Sequence, residues 1–597
     1  MHQRAVRVVE PRAREIMEGA FALSPGVAFQ SRRVRGRLYR SSGFLAASES
    51  ETKLEHKMTS WPFGFLGFLC RIDRSLRFCH PNQEAIKMIS VPSLDAKIPA
   101  RFAQAPWTEH TDFWCQLDEQ LPHDHLARQI RDAMSHLDLA PLYQTYSGRG
   151  KAPHRPDLML AIVLFELRRG QRHPSQWYRD TLESYPLWWL GFGIRPSRSC
   201  WYEFRERAGA DVDTLNAQLL HQAVEAELTT AERGALDGSA VAAHASRRRL
   251  INPERLDQRL EQLEAVANDE AQGEEPGAVP GWMAKTARGR ASQHERYSQA
   301  QEQLAKRQAA NAQRPASQRQ APDKIGVSPG DPEAPLGLDK DPVFGPLYTV
   351  QTVRDVTSPL ILGYDVFAQA SDAATLPPML QRSHQLTGRR LKDLLVDSAY
   401  VTGMDLAECA AQGVTLYGPW KANDWSAPQP HSRFSKDRFT WHGDLDAYEC
   451  PAGHLLKRVS GHTRRCSGGR EVVEWQYRGE AQTCQACPLR KQCTTSQKGG
   501  RSVQRSEHEE LIQAHRAWME TAEAKAVYRL RGQTIEIVFA DVKEHRGLRR
   551  FSGHGLARVR TEFALEVLLH NLLVLHRFLS QRRHAESMHH TTEELAA

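Results

Sequence analysis

Apolar positions recur with a helical period through the first ordered third of the chain, become strand-like in the middle, and return to a helical period near the C-terminus. From Ile98 to about Arg207 the pattern is helical. Phe113, Leu117 and Leu121 give one stripe, and Pro156-Asp157 opens a helix, LMLAIVLFELRRG, closed by Gly170. Gly193 and Pro196 then separate short helices, with Ser197 or Ser199 placed to cap the next. Val212, Leu215, Leu219, Val224 and Leu228 mark an amphipathic helix that leads into a small-residue strand, GALDGSAVAAHA. Asn252-Pro253 starts a helix with the stripe Leu256, Leu260, Leu263. From about Ala265 to Glu333 the chain is polar, with a charged helix around His294 to Gln313 between linkers.

Strands at Tyr348–Val353 and Leu360–Phe367 flank a turn at Thr357-Ser358-Pro359. A helix from Ala374 to His384, a strand in LKDLLVDSAY ending on Asp397, a helix from Met404 to Ala411 and a strand from Val414 to Tyr417 follow. Tyr528 to Arg550 reads as one helix, broken near Gly532, with Ile535, Val538, Phe539 and Val542 on one face. Val559, Phe563, Val567, Leu572, Leu575 and Leu579 predict a last helix against the sheet. Asn571, His570 and His576 within it read as satisfied core groups.

Consecutive strands followed by alternating helix and strand predict an α/β fold, a mixed sheet with flanking helices, preceded by an all-α region. The boundaries expected are a poorly ordered extension at 1–97, or an upstream extension, since Met58 and Met88 lie downstream; a helical domain at 98–230; and an α/β domain at 231–440 with a polar insertion at about 251–340. A small Cys-rich insertion at 441–500, the rest of the α/β domain at 501–582 and a tail at 583–597 complete the division.

At 597 residues, two to four domains are the natural prior. Hydrophobic content of 40% and charge of 25% supply a sizeable core. The apolar run Trp61 to Cys70 is far short of a membrane span. No signal-peptide pattern is evident. Ten cysteines in a chain this long do not make a disulfide scaffold, which points to a reducing cytoplasm.

The net charge of +8 is modest, but nine Lys/Arg face only three Asp/Glu between Lys525 and Arg560. A carboxylate, Glu536, sits within that basic stretch, and Glu536 and Lys543 share a face of an ideal helix. The plainer reading is a half-buried helix whose Glu536 pairs with Arg531 or Lys543. Asp237 and Asp397 each sit where a buried strand emerges, which holds a carboxylate rigidly while exposing it. Two strand-borne Asp and one helix-borne Glu can make a three-carboxylate metal site. Asp372, at a strand-to-helix junction, is the main rival for a metal-ligating position and reads as a helix cap.

Cys450 in a turn, CPAGH, and Cys484-x2-Cys487-x5-Cys493 suit tetrahedral Zn2+, with Cys466 and His454 as alternate ligands; unliganded thiols are the plainer reading. Among the early helices, Arg198, Arg205 and Arg207 would be presented in a helix-turn-helix arrangement, whereas the Trp residues read as core. Arg247–Arg249 read as a solvated face.

With LDGS, LLVDSAY, the cysteine cluster and YRLRGQTIEIVFADVK, the chain resembles the DDE transposases of bacterial insertion sequences, most nearly the 1182 group, over roughly residues 98 to 580. The resemblance implies a ribonuclease-H-like catalytic domain in which Asp237, Asp397 and Glu536 hold two Mg2+, with Mn2+ as a substitute, and a helical domain that binds the terminal repeats. It places Tyr528, Arg531, Lys543, Arg549 and Arg550 on phosphates. One departure stands out. The family signature spaces Tyr, Arg, Glu and Lys by two, three and six residues; here the gaps are two, four and six, which rotates Arg531 about 100° relative to Glu536. The implied partner is double-stranded DNA, element ends and target, bound by a homodimer near the bacterial nucleoid, without a membrane. Rival readings are a transposase-derived DNA-binding protein without activity and a two-metal structure-specific nuclease.

Overall fold

The computed structural model describes residues 102–147, 150–273, 277, 279–314, 316–339, 342–420, 434–466 and 469–596, without the side chains of residues 536, 587 and 589–596. The expectation for residues 1–97 lies outside the described residues.

Seven helices come first: α1 (Asp112–Gln120), α2 (Leu126–Met134), α3 (Ala140–Gln144), α4 (Pro156–Arg168), α5 (Pro174–Glu183), α6 (Tyr185–Leu190) and α7 (Arg198–Glu225). Pro at the first turn of α4, α5 and α6 fits their starts, because that N–H has no helical acceptor in any case. Ser197 caps α7, accepting from the Cys200 N–H at 3.3 Å. The two helices expected on either side of residue 208 are therefore one 28-residue helix. Trp177, Trp189 and Trp201 are buried, as the core reading required, whereas Phe113 turns outward.

Strand β1 (Arg233–Ala242) is followed by a polar excursion built on α8 (Pro253–Ala271) and α9 (Ala287–Ala312). This excursion has its own core, with Leu256, Leu260 and Leu263 packed among Tyr297, Ala300, Leu304 and Val327. It is more ordered than a charged helix between linkers. Next come β2 (Leu336–Leu338), β3 (Phe344–Asp355), β4 (Ile361–Phe367), α10 (Leu376–Thr387), β5 (Asp393–Leu395), α11 (Gly403–Gln412) and β6 (Thr415–Tyr417).

The sheet runs β2-β3-β1-β5-β6, and β4 pairs with β3 on the edge away from β1. The β1–β3 and β3–β4 pairs are antiparallel; β5 and β6 run parallel to β1. Strands β2, β3 and β4 follow one another directly, β1 is separated from them by the α8–α9 excursion, and β5 and β6 each come after a helix, as a parallel connection requires.

A second sheet, antiparallel and five-stranded, fills the segment expected as a small Cys-rich insertion: β7 (Thr440–His442), β8 (Ala447–Glu449), β9 (Leu455–Arg465), β10 (Glu471–Gly479) and β11 (Ser502–Ser506), with α12 (Ala481–Ala486) and α13 (Arg490–Cys493). Its core is Phe439, Tyr448, Leu456, Tyr477 and Val503. The chain then returns to the first sheet through α14 (Glu509–Glu520), α15 (Ala522–Tyr528) and α16 (Leu530–Ala540), a π-helical turn at Asp541–His545, and α17 (Leu556–Ala596). The helix expected from Tyr528 to Arg550 thus breaks at Arg529, not Gly532, and widens into a π turn after Ala540. Helix α17 also continues through the expected tail.

One hydrophobic core spans the early helices, the first sheet and α17, from Trp114 to Leu575. The α17 stretch Leu556–Glu586 is long and apolar enough to cross a membrane, yet just over half of its apolar window is buried inside the protein. Within it, Asn571 satisfies the β4 backbone, accepting from Ile361 N–H at 2.9 Å and donating to Ile361 O at 3.0 Å.

Beneath α17 lies an ion network. Glu566, fully buried, pairs with Arg172 at 2.9 Å and Arg546 at 3.2 Å, and Arg546 also donates to Asp541. Burial would raise the Asp541 carboxyl, but His570 and then Arg546 hold it well below the usual carboxylate range. The network ties the end of the π turn to α17 and to the early helices. Removing one member would strand buried charge. Glu566→Ala is therefore expected to lower unfolding free energy by about 3–5 kcal/mol, measured by urea denaturation; a loss below about 1 kcal/mol would remove the network from the account.

His136 and His576 meet ring to ring at 3.4 Å between α17 and the end of α2. Burial first, then His576 and Arg583, pushes His136 down to about 4. A depressed histidine stabilises the fold above its unfolded value near 6.5, and that contribution drains away as pH falls toward 4. Thermal melts should show this loss between pH 6.5 and 4, and His136→Gln should flatten it.

Candidate active site

Asp237 lies in the middle of β1, opposite Thr352 of β3. On its other edge β1 pairs with β5 in parallel register, Ala235 opposite Leu395. Two residues further along each chain come Asp237 and Asp397, so the register brings both carboxylates to one level where β5 ends. Parallel neighbours there are about 4.8 Å apart. Asp237 Oδ1 accepts from the Gly238 N–H at 2.9 Å, and Asp397 Oδ1 accepts from the Ala399 N–H at 2.7 Å. Both remain partly exposed.

Helix α16 packs across β1 and β3 on this face. Ile535, Val538 and Phe539 are buried, and Val542 in the π turn joins them. Two side chains pin the segment to β1. Lys543 Nζ donates to Ser239 Oγ and to Ala240 O, both at 2.6 Å. Ser239 is two residues from Asp237 and so on the same face of the strand. Arg531 lies 3.4 Å from Asp237 Oδ1. Arg354 on β3 fixes the helix from below, donating to Thr534 O at 2.5 Å.

The one-residue departure from the family spacing therefore does not carry Arg531 away from the site. The break at Arg529 sets where α16 starts on the sheet, and Arg531 in its first turn faces Asp237. Arg531 is mostly buried, and its Nε has no hydrogen-bond partner among the described residues. Tyr528, half-buried, titrates above its ordinary range because of burial, with Arg531 lowering it and Asp397 and Asp237 raising it. Its hydroxyl is within electrostatic reach of all three.

Glu536 belongs to α16, between the two residues that reach β1. Its side chain lies outside the described residues. Of the other expected phosphate ligands, Lys543 is turned onto β1. Arg549 takes a bidentate bond to Glu544 at 2.6 and 2.7 Å. Arg550 is exposed where the chain bridges to Ala242 at the end of β1. Arg198 and Arg207 are exposed, but Arg205 is buried, contrary to the expected presentation of all three.

Asp372 is not the expected cap of α10. Thr375 occupies that position, and Asp372 Oδ1 instead accepts from Gln351 Nε2 at 2.6 Å. Gln351 Oε1 in turn accepts from the Tyr400 hydroxyl at 2.7 Å. Gln351 and Tyr400 were given no part by the sequence reading, although Tyr400 closes the LLVDSAY motif. A glutamine in the middle of an apolar strand is the signal that could have found this network.

Cys450, Cys484, Cys487 and Cys493 line one cavity, together with His454. Cys466 is not among its lining residues. Burial pushes the Cys493 thiol up, and the other three cysteines add to that. Among the described residues no group of three or more His, Cys, Asp or Glu could hold a metal ion, so the expected structural zinc is not supported. The second sheet carries its own small core.

Two aspartates at one level form the kind of acceptor set that divalent metals take, and α16 lays Arg531 across them. The comparisons with known proteins point the same way: a family model described as "Transposase DDE domain" matches residues 449–576. The matched stretch includes β9 to β11 of the second sheet, α16 with Glu536 and the first half of α17; Asp237 and Asp397 precede it. No curated protein and no solved structure matches the chain. The similarity to a DDE domain supports a transposase.

The Lys543 contacts give a direct test of how α16 is held. Two buried hydrogen bonds from a charged donor contribute about 1.5–3 kcal/mol each. Lys543→Met is expected to speed amide exchange across Leu530–His545 by about tenfold or more relative to β1, measured by hydrogen–deuterium exchange; unchanged protection would show that apolar packing alone docks the helix.

Proposed function

We propose that the protein is a DNA transposase of the DDE type, in which Asp237, Asp397 and Glu536 form the catalytic carboxylate set. The observation that carries this reading is the shared level of Asp237 and Asp397 beneath α16, the helix that bears Glu536. The order of the first sheet, three antiparallel strands extended by two parallel ones, supports a ribonuclease-H-like catalytic domain; the helices from Asp112 to Glu225 serve as the DNA-binding region.

Acceptor-only carboxylates suit a hard cation, and the guanidinium of Arg531, whose buried Nε has no hydrogen-bond partner among the described residues, suits a phosphate beside them. Two Mg2+ ions, with Mn2+ as a substitute, would be held by the three carboxylates and would supply charge to the attacking and leaving oxygens. Arg531 orients a phosphate through its fork of donors, and Tyr528 donates to a second phosphate oxygen. Lys543 keeps β1 and α16 in register. Exposed Arg198, Arg207 and Arg550 make contacts with the DNA backbone, which depend on salt but carry no sequence information. Cleavage at the two ends of an element and strand transfer into target DNA bring two ends together, so a pair of chains acts on double-stranded DNA in the cytoplasm.

The test is cleavage of a labelled duplex carrying the DNA that flanks the reading frame, with Mg2+ or EDTA, by wild type and Glu536→Gln. This substitution keeps shape and removes charge. Metal-dependent cutting that falls by about 10³-fold or more in the variant, with DNA binding retained, is the expected result. Equal cutting by both proteins would overturn the assignment of Glu536.

A further inference from the structure

Behind the two aspartates lies a buried polar chain that the proposed chemistry does not use. Gln351 is fully buried in the middle of β3, directly opposite Gly238 of β1. Its amide is held at both ends, by Asp372 at 2.6 Å and by the Tyr400 hydroxyl at 2.7 Å. The orientation of that amide is fixed by charge. An ionised Asp372 can only accept, so it takes the N–H, which leaves the amide oxygen for the Tyr400 O–H.

The chain touches the carriers of both aspartates. A Cβ at position 238 would stand 2.1 Å from Asp372 Oδ1 and 2.3 Å from Gln351 Nε2, so only glycine fits beside Asp237. At the other end, Tyr400 closes the turn of Asp397, donating its N–H to Asp397 O at 3.3 Å. Tyr400 is almost wholly buried, so its ring cannot drift. Burial first, then Asp372, Asp237 and Asp397, raises its hydroxyl far above the ordinary range, which keeps it a neutral donor.

We propose that Asp372, Gln351 and Tyr400 form a positioning relay that sets the separation of Asp237 and Asp397, and through it the affinity of the site for divalent metal. The inference rests on the assignment of those two aspartates as metal ligands. Asp372 acts through hydrogen bonding and not as a ligand. Groups that orient metal ligands typically change metal affinity by 10–100-fold when removed.

Three variants separate the roles. Asp372→Asn keeps an oxygen that can accept from Gln351. Asp372→Ala removes it, and Tyr400→Phe removes only the hydroxyl at the far end. Mn2+ binding to the full chain is measured by electron paramagnetic resonance, beside Mg2+-dependent cleavage, DNA binding and thermal melting. Asp372→Ala and Tyr400→Phe are each expected to weaken Mn2+ binding about 10-fold or more and to raise the Mg2+ needed for half-maximal cleavage in step. DNA binding should be unchanged, and Asp372→Asn should stay within about threefold of wild type.

Loss of Mn2+ binding in Asp372→Asn equal to that in Asp237→Asn would make Asp372 a ligand and overturn the relay. Wild-type Mn2+ affinity in both Asp372→Ala and Tyr400→Phe, with only melting affected, would overturn it as well. If wild type itself binds no Mn2+, or binds it equally well as Asp237→Asn, the metal-site reading fails first and takes the relay with it.

Discussion

The site depends on one docking event, the seating of α16 and its π turn on β1. Residues 236–242 of β1 extend beyond their pairing with the short strand β5. Apolar packing from Ile535, Val538, Phe539 and Val542 brings the helix down, but such packing is non-directional. Direction comes from Lys543, whose ammonium finds Ser239 and Ala240 on the face that Asp237 shares. The π turn lets Lys543 reach the strand, because its wider, underwound geometry changes where residues 541–545 point. Arg546, buried with Glu566 and Asp541, then locks the far end of the turn to α17.

Much of this was legible in the sequence. The strand and helix order from β3 to β6 followed from periodicity, because a strand buried on both faces and a helix with an apolar stripe leave different patterns. The two aspartates were legible for a related reason: each interrupts an apolar strand where small residues follow. The expected core roles of Trp177 and Asn571 held because their buried polar atoms find backbone partners.

What escaped was set by long-range register. The helix break at Arg529 and the π turn leave no periodic signature, since they depend on what β1 offers to Lys543 and Arg531. Asp372 looked like a cap because a short acidic residue before a helix often is one. Its true partner, Gln351, lies 21 residues earlier on a neighbouring strand. The cysteine segment was read for its ligand spacing, whereas the structure gives it a five-stranded sheet and a core of its own, and among the described residues no group of three or more His, Cys, Asp or Glu that could hold a metal. Arg205 misled for the opposite reason: a basic residue on a predicted DNA-facing helix proved to be buried.

The measurement that tests the central claim most directly is metal-centred backbone cleavage. Fe2+ replaces Mg2+ at an oxygen-rich site, and with ascorbate and peroxide it generates radicals that cut the chain within a few ångströms of the metal. The fragments map the ion without reference to DNA. The account predicts cuts near Asp237, near Asp397 and within Tyr528–Lys543, all suppressed by excess Mg2+. Cuts confined to one of these segments, or clustered around Cys484 to Cys493 instead, would contradict a metal site shared by β1, the end of β5 and α16.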